Sequence, residues 1–334
     1  MPTASSLAID YGWLDEEFER DGITVSSLRA SREQGVRESH FDHTQSNSFR
    51  QGGNIPPIWT RAHGGDTALV ALSWVDENQA IISMPESGIR TVKDLGGRRL
   101  ALPRRLNDQI DFWRAMCLRG YLSALALEGM DERDVELIDL PVPEKYLGTE
   151  AESHTGTLWS GGARARRQQT EAFALIRGEV DAIYTAGAMG AQLTAFLSAR
   201  EVIDLGRYPD PLVRINNDSP TVLTASRTMA HNYPDLVGRF LGRLTAAARW
   251  AETHRSEVVR IVANDVGAPE EWVDVAHGSD FHQHMGIELT EDGISAIESQ
   301  KTFLLKWGFI EQDFDVRGWI DPQPLALSRQ VCKD

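Results

Sequence analysis

Apolar runs of strand length alternate with helical stripes through the first two-thirds of this chain, and no other feature narrows its fold as far. Residues 68–74 and 79–84 read as strands, and 98–102 follows a short helix closed by Gly96 and Gly97. A helix over 110–127, a strand over 135–140, a helix over 164–177 ended by Gly178 and a buried strand over 180–184 continue the pattern. Such alternation predicts an α/β fold built on parallel sheet. Residues 4–19 are predicted as one helix and 23–28 as a strand. After Pro234 the texture changes. Val237, Phe240, Leu241, Leu244, Ala248 and Ala251 form a helical stripe, and further helices are predicted around 256–266, 270–276 and 290–307. At 334 residues the chain is too long for one ordinary core and suits two domains.

Several functions are disfavoured at once. No apolar run reaches the roughly 18 residues that span a bilayer. The first twenty residues carry Asp10, Asp15, Glu16, Glu17 and Glu19, with no basic residue before Arg20, unlike a secretory leader. The chain as given is therefore expected in the cytoplasm, or in the periplasm if a longer natural N-terminus carries a signal. A net charge of −15 argues against nucleic acid as a partner. Arg164, Arg166 and Arg167 read as a solvated helix face or a ligand edge. Cys117 lies in an apolar helical pattern far from Cys332, so a buried thiol is expected there rather than a disulfide. Gly187-Ala-Met-Gly190 lacks the third glycine of a dinucleotide fingerprint, and Ser160-Gly161-Gly162 lacks the Lys-Ser/Thr of a phosphate loop. His277, Asp280, His282 and His284 crowd together without the spacing of a metal site, so they read as surface polar residues and no metal is expected.

The segment 40–57 stands apart: His-Phe-Asp-His-Thr-Gln-Ser-Asn-Ser-Phe-Arg-Gln-Gly-Gly-Asn-Ile-Pro-Pro. It lies in a long polar stretch, 29–58, with little periodicity, which is a mark of functional or disordered chain. Arg50 offers a planar fork matched to carboxylate, sulfinate or sulfonate. Gly52 and Gly53 let a backbone N–H approach a ligand closely. His40 can donate, accept or shuttle a proton near neutral pH, and Gln45 can orient a partner. A polar loop with a satisfied histidine is the plain alternative. Trp59, Trp113 and Tyr184 are candidates for aromatic walls or for core, and the loop 141–160 for a lid.

Gly88-Ile-Arg-Thr-Val-Lys-Asp-Leu-Gly-Gly-Arg-Arg-Leu-Ala-Leu102 and Phe173-Ala-Leu-Ile-Arg-Gly-Glu-Val-Asp-Ala-Ile-Tyr184 resemble the solute-binding proteins of nitrate-, sulfonate- and taurine-type importers. The pattern His40-Phe41, Arg50, Gly52-Gly53, Ile55-Pro56-Pro57 resembles the 2'-hydroxybiphenyl-2-sulfinate desulfinase branch of that superfamily, over nearly the whole chain. The resemblance implies a type 2 periplasmic-binding-protein-like α/β fold, two lobes joined by two crossings, with C-terminal helices. It places residues 1–87 with 203–334 in lobe I and 88–202 in lobe II, with crossings near 85–90 and 185–205. Three family site residues carry over, to His40, Arg50 and the Gly53 backbone N–H, with Gly52, Phe41, Gln45 and Trp113 as further ligand contacts. The family's cysteine, in a Cys-Pro-x-Pro phrase, falls two residues ahead of Met1, and the first strand of the fold is expected there too.

Two functions follow from the resemblance. One is a desulfinase-like hydrolase that releases sulfite from an aryl sulfinate, if the upstream cysteine exists. The other is a solute-binding protein for a sulfonate or carboxylate, with an importer permease as partner. No cofactor is expected: the pyridoxal-phosphate enzymes on this fold need a lysine, and this chain has very few. A small anionic organic ligand and a monomer complete the expectation.

Overall fold

A computed structural model describes the chain over residues 1–146 and 168–331. Eight strands occur there: β1 (Phe49–Gly52), β2 (Thr67–Ser73), β3 (Gln79–Ser83), β4 (Arg99–Arg105), β5 (Glu136–Val142), β6 (Ile183–Ala186), β7 (Arg200–Asp204) and β8 (Thr221–Ser226). The helices are α1 (Ala4–Asp10), α2 (Trp13–Phe18), α3 (Gln34–Asp42), α4 (Ile55–Ala62), α5 (Phe112–Leu127), α6 (Gln169–Ile176) and α7 (Gly187–Phe196). They continue as α8 (Pro211–Arg214), α9 (Arg227–Asn232), α10 (Pro234–Ala251), α11 (Arg255–Val266), α12 (Glu270–His277), α13 (Glu291–Lys306) and α14 (Gln323–Val331).

One sheet has the order β1-β8-β2, and a second has β6-β3-β7. The pair β4-β5 extends the second sheet, because the Ala101 N–H donates to the Ala182 carbonyl at 3.1 Å just ahead of β6. β2 and β3 are buried at every position, which is why both read as unbroken apolar runs rather than alternating ones. Among the named strands of the described residues only β4 and β5 pair in parallel, with isolated parallel bridges at Leu100–Ala182 and Leu69–Ile320; β8 is antiparallel to β1 and β2, and β3 to β6 and β7. The expectation of parallel sheet is corrected to that extent. The cause is the route of the chain, which leaves the first sheet after β2 and returns to it as β8 from the opposite end.

The passage from β2 to β3 runs through residues 74–78, and the return runs through 205–220. The outward passage thus comes slightly ahead of the crossing expected near 85–90, because β3 pairs with β6 and β7. We propose that the lobes divide at these two passages. They are pinned to each other. Asn78 Nδ2 and the Gln79 N–H both donate to the Asp204 carboxylate, at 2.8 and 2.9 Å. Gly206 is packed so closely on the Glu77 carbonyl that any Cβ would overlap it. Arg119 of α5 reaches across to the Ile215 carbonyl at 2.8 Å and the Ser299 hydroxyl at 3.0 Å.

Three local expectations change. The single helix over 4–19 is two, broken at Gly12, whose φ of 71° is left-handed backbone that glycine tolerates. No strand forms over 23–28, a half-exposed stretch with no sheet edge to join. The polar stretch 29–58 is ordered secondary structure: α3, β1 and the start of α4. The stripe on α10 is buried as predicted, with Val237, Phe240, Leu241, Leu244, Ala248 and Ala251 all in the core. Cys117 is a buried free thiol, and burial pushes its pKa well up. Cys332, the 164–167 arginines and most of the loop 141–160 lie outside the described residues.

Candidate functional site

A cavity of about 630 Å³ opens between the two sheets. On α3, Arg37, His40 and Phe41 stand at i, i+3 and i+4, so one helix face delivers all three to the cavity. Arg50, on β1 opposite Thr224, is buried there at 3% exposure. Its Nε donates to the His40 carbonyl at 2.7 Å, which ties the guanidinium to the end of α3. A Cβ on Gly52 would come within 3.3 Å of Arg50 Nη2 and 3.4 Å of His40 Cε1, so a bare backbone lets the two side chains pack together. Gly53 is more constrained. A Cβ there would overlap the Asn217 carboxamide, whose Oδ1 accepts the Ile55 N–H at 3.0 Å at the start of α4.

Of the residues singled out from sequence, His40, Phe41, Arg50, Gly53 and Trp113 line the cavity, and Gly52 backs two of them. Gln45 is not among the lining residues; it sits in the turn after α3, where its N–H donates to Ser39 Oγ at 3.0 Å. Trp113 is held by a 2.7 Å hydrogen bond from Nε1 to Glu171 Oε1, a carboxylate whose pKa burial raises. Trp59 stacks on His63 and Tyr184 is core; neither lines the cavity. Phe41 stacks on Phe112 at 5.9 Å, with Tyr146 edge-on to both and Arg105 over the Tyr146 ring at 5.4 Å. That cluster gives the cavity an aromatic wall.

Other lining residues were not singled out from sequence. His277, read as surface, is buried, and its Nδ1 meets the Asp76 carbonyl at 3.2 Å. Burial lowers its pKa to about 3, so the imidazole is neutral. His282 is buried too, so of that group only Asp280 and His284 are surface residues. His43, beside the site, bonds Thr224 Oγ1 at 3.0 Å; burial and then the Arg50 charge lower its pKa to about 4. Glu77 and Asp218 also face the cavity. Burial and then the Asp218 charge push the Glu77 carboxyl well above its ordinary range, and burial raises Asp218. The polar run 76–78 between two apolar strands, and Asn216-Asn217-Asp218 ahead of β8, were the available signals.

The two-lobed α/β architecture, with its cavity between the lobes, is that of the type 2 periplasmic-binding-protein class. The periplasmic sulfonate-binding protein SsuA from Methylobacillus flagellatus superposes with a TM-score of 0.72 at 16% identity, over 99% of this chain and 89% of that one. Within the class, the chain is similar to the 2'-hydroxybiphenyl-2-sulfinate desulfinases of Rhodococcus erythropolis and Rhodococcus qingshengii. They are 27% identical to it over 98% of this chain and 91% of theirs. A cysteine-to-serine mutant of the desulfinase, crystallised with biphenyl-2-sulfinic acid, has a TM-score of 0.78 at 26% identity, over 99% of this chain and 96% of that one. The resemblance carried by the 40–57 segment therefore holds across the chain. No family model matches it.

Proposed function

We propose that this protein binds a small aromatic sulfinate or sulfonate between its lobes, with desulfinase-like release of sulfite as its activity. The observation that carries the reading is the convergence of Arg50, His40 and Gly53 on one cavity beside an aromatic wall. Arg50 would present its fork to two ligand oxygens, and Gly53, which borders the cavity, would offer its backbone N–H to the same group. His40 adjoins both and can position or exchange a proton. Phe41, Phe112 and Tyr146 offer the ring faces that an aryl group would cover.

Cleavage of the C–S bond needs a proton for the ring carbon and water for the departing sulfur dioxide, which leaves as sulfite. Among the described residues no cysteine lines the cavity, and Cys117 is buried in α5. That observation supports a second reading, capture of the same ligand without chemistry.

Titration calorimetry with biphenyl-2-sulfinate tests the binding that both readings share; absence of saturable binding would sink both. Sulfite release then separates them. It is to be followed for this chain and for a form carrying a Cys-Pro-x-Pro phrase ahead of the first helix. Release by either form supports the desulfinase reading, and binding without release by both leaves capture.

A further inference from the structure

Two helices of the second lobe each turn an uncharged face to the cavity. On α6 the face holds Ala172, Phe173 and Ile176, and on α7 it holds Met189, Leu193 and Phe196. Residues so spaced share one side of a helix, and an apolar stripe of that kind is ordinarily buried in a core. Here only the inner part is. Ala172 is buried, and Leu193 packs on the core around Ile82 and Leu175. Phe173, Ile176 and Phe196 are 45%, 52% and 82% exposed. Single exposed apolar residues are ordinary, but two such faces lining one cavity form an apolar surface that marks a binding site. The polar residues that these two helices and their flanks add to the lining, among those described, are glutamines.

The same cavity decides what covers the two faces. Arg50 and Gly53 line it as well, and Arg50 is buried. A partner protein or a bilayer could cover Phe196 without reaching Arg50, whereas a small molecule inside the cavity touches both. We propose that the ligand is an amphiphile: an aryl sulfinate or sulfonate whose ring carries an aliphatic chain, laid along the α6 and α7 faces out to Phe196. The inference rests on the reading that Arg50 and Gly53 hold the oxyanion. A volume of about 630 Å³ is room for a drug-sized molecule, more than one substituted ring fills. The α7 face runs about 10 Å from Met189 to Phe196. Its lining is aliphatic beside the adaptable Met189, which suits a flexible chain better than a second rigid ring.

The test is calorimetry on the whole chain with 4-ethyl-, 4-butyl-, 4-hexyl- and 4-octylbenzenesulfonate, each below its micellar concentration. A fully buried methylene tightens binding about fourfold, and these faces leave a chain partly open. Octyl should therefore bind at least about 20-fold more tightly than ethyl. The double variant Ile176→Ser/Phe196→Ser should lower that ratio about fivefold or more, and Leu212→Ser, an exposed leucine away from the cavity, should not change it. Phe196→Ser alone, at the more exposed position, stands in if melts show that the pair does not fold. A smaller octyl-to-ethyl ratio in the wild type would overturn the amphiphile and, with ethyl still bound, leave the oxyanion reading intact. A ratio retained in the double variant, or lowered as much by Leu212→Ser, would also overturn it. So would undiminished octyl binding by a folded Arg50→Ala, since chain and oxyanion would then occupy separate places. Failure of the whole series to bind would overturn the oxyanion reading as well.

Discussion

The two walls of the cavity are made of different material. The wall from α3, β1, the 74–78 passage and α12 is charged and buried, and its side chains are tethered to backbone: Arg50 to the His40 carbonyl, His277 to that of Asp76. The wall from α6 and α7 is apolar and open. Phe196 is 82% exposed, and Ile176 and Phe173 about half. Polar groups that must hold a ligand at fixed geometry need supporting bonds, whereas an apolar surface selects by shape and area alone. On the proposed reading, the first wall would govern whether an oxyanion binds, and the second which organic group comes with it.

The largest effect should come from the charged wall. Arg50→Ala should weaken binding of an aryl sulfonate about 100-fold or more, since truncating a desolvated ion pair costs about 2–5 kcal/mol. Calorimetry reads this directly, and a drop under about fivefold would place the anion elsewhere.

Acid should also act through that wall. His43 and His277 have folded pKa values of about 4 and about 3, below the ordinary 6.5, chiefly because burial disfavours their charged forms. Their stabilisation is complete above about 6.5 and is lost as pH falls towards the folded values, on the order of a few kcal/mol together. His277→Gln keeps a donor for the Asp76 carbonyl and should flatten the urea-midpoint profile between neutral pH and about pH 4. An unchanged profile would mean that His277 is not the linked group.

Gly53→Ala forces a methyl into the Asn217 carboxamide, an overlap expected to cost about 1–3 kcal/mol in stability and to weaken oxyanion binding with it. The smallest effect falls on the open wall. Phe196→Ser should lower affinity for biphenyl sulfonates a few-fold, about 1 kcal/mol or less, and leave methanesulfonate unaffected. Equal losses for both ligands would erase the division of labour between the walls.

The same division explains what was legible in the sequence. Buried strands such as β2 and β3 announce themselves because every residue must be apolar, and the α10 stripe because its period matches a helix. His40, Arg50 and Gly53 were legible as one compact segment. Glu77, Asp218 and His277 were not, because 141 positions separate Glu77 from Asp218 and the two lobe passages alone unite them. Nor was α3 foreseen. Its face is polar because it lines a cavity, so the apolar period that reveals a core helix is missing. Strand direction was misjudged for a related reason: alternation gives element types in order, while pairing depends on where the chain crosses between sheets.

The central claim is that Arg50 holds an organic oxyanion in this cavity. Calorimetric titration of biphenyl-2-sulfinate into the wild type, Arg50→Ala and Arg133→Ala tests it most directly, since Arg133 is an exposed arginine that pairs with neighbouring Asp131. Saturable binding to the wild type and Arg133→Ala, lost in a folded Arg50→Ala, is the result expected. Equal affinity for all three proteins would contradict it.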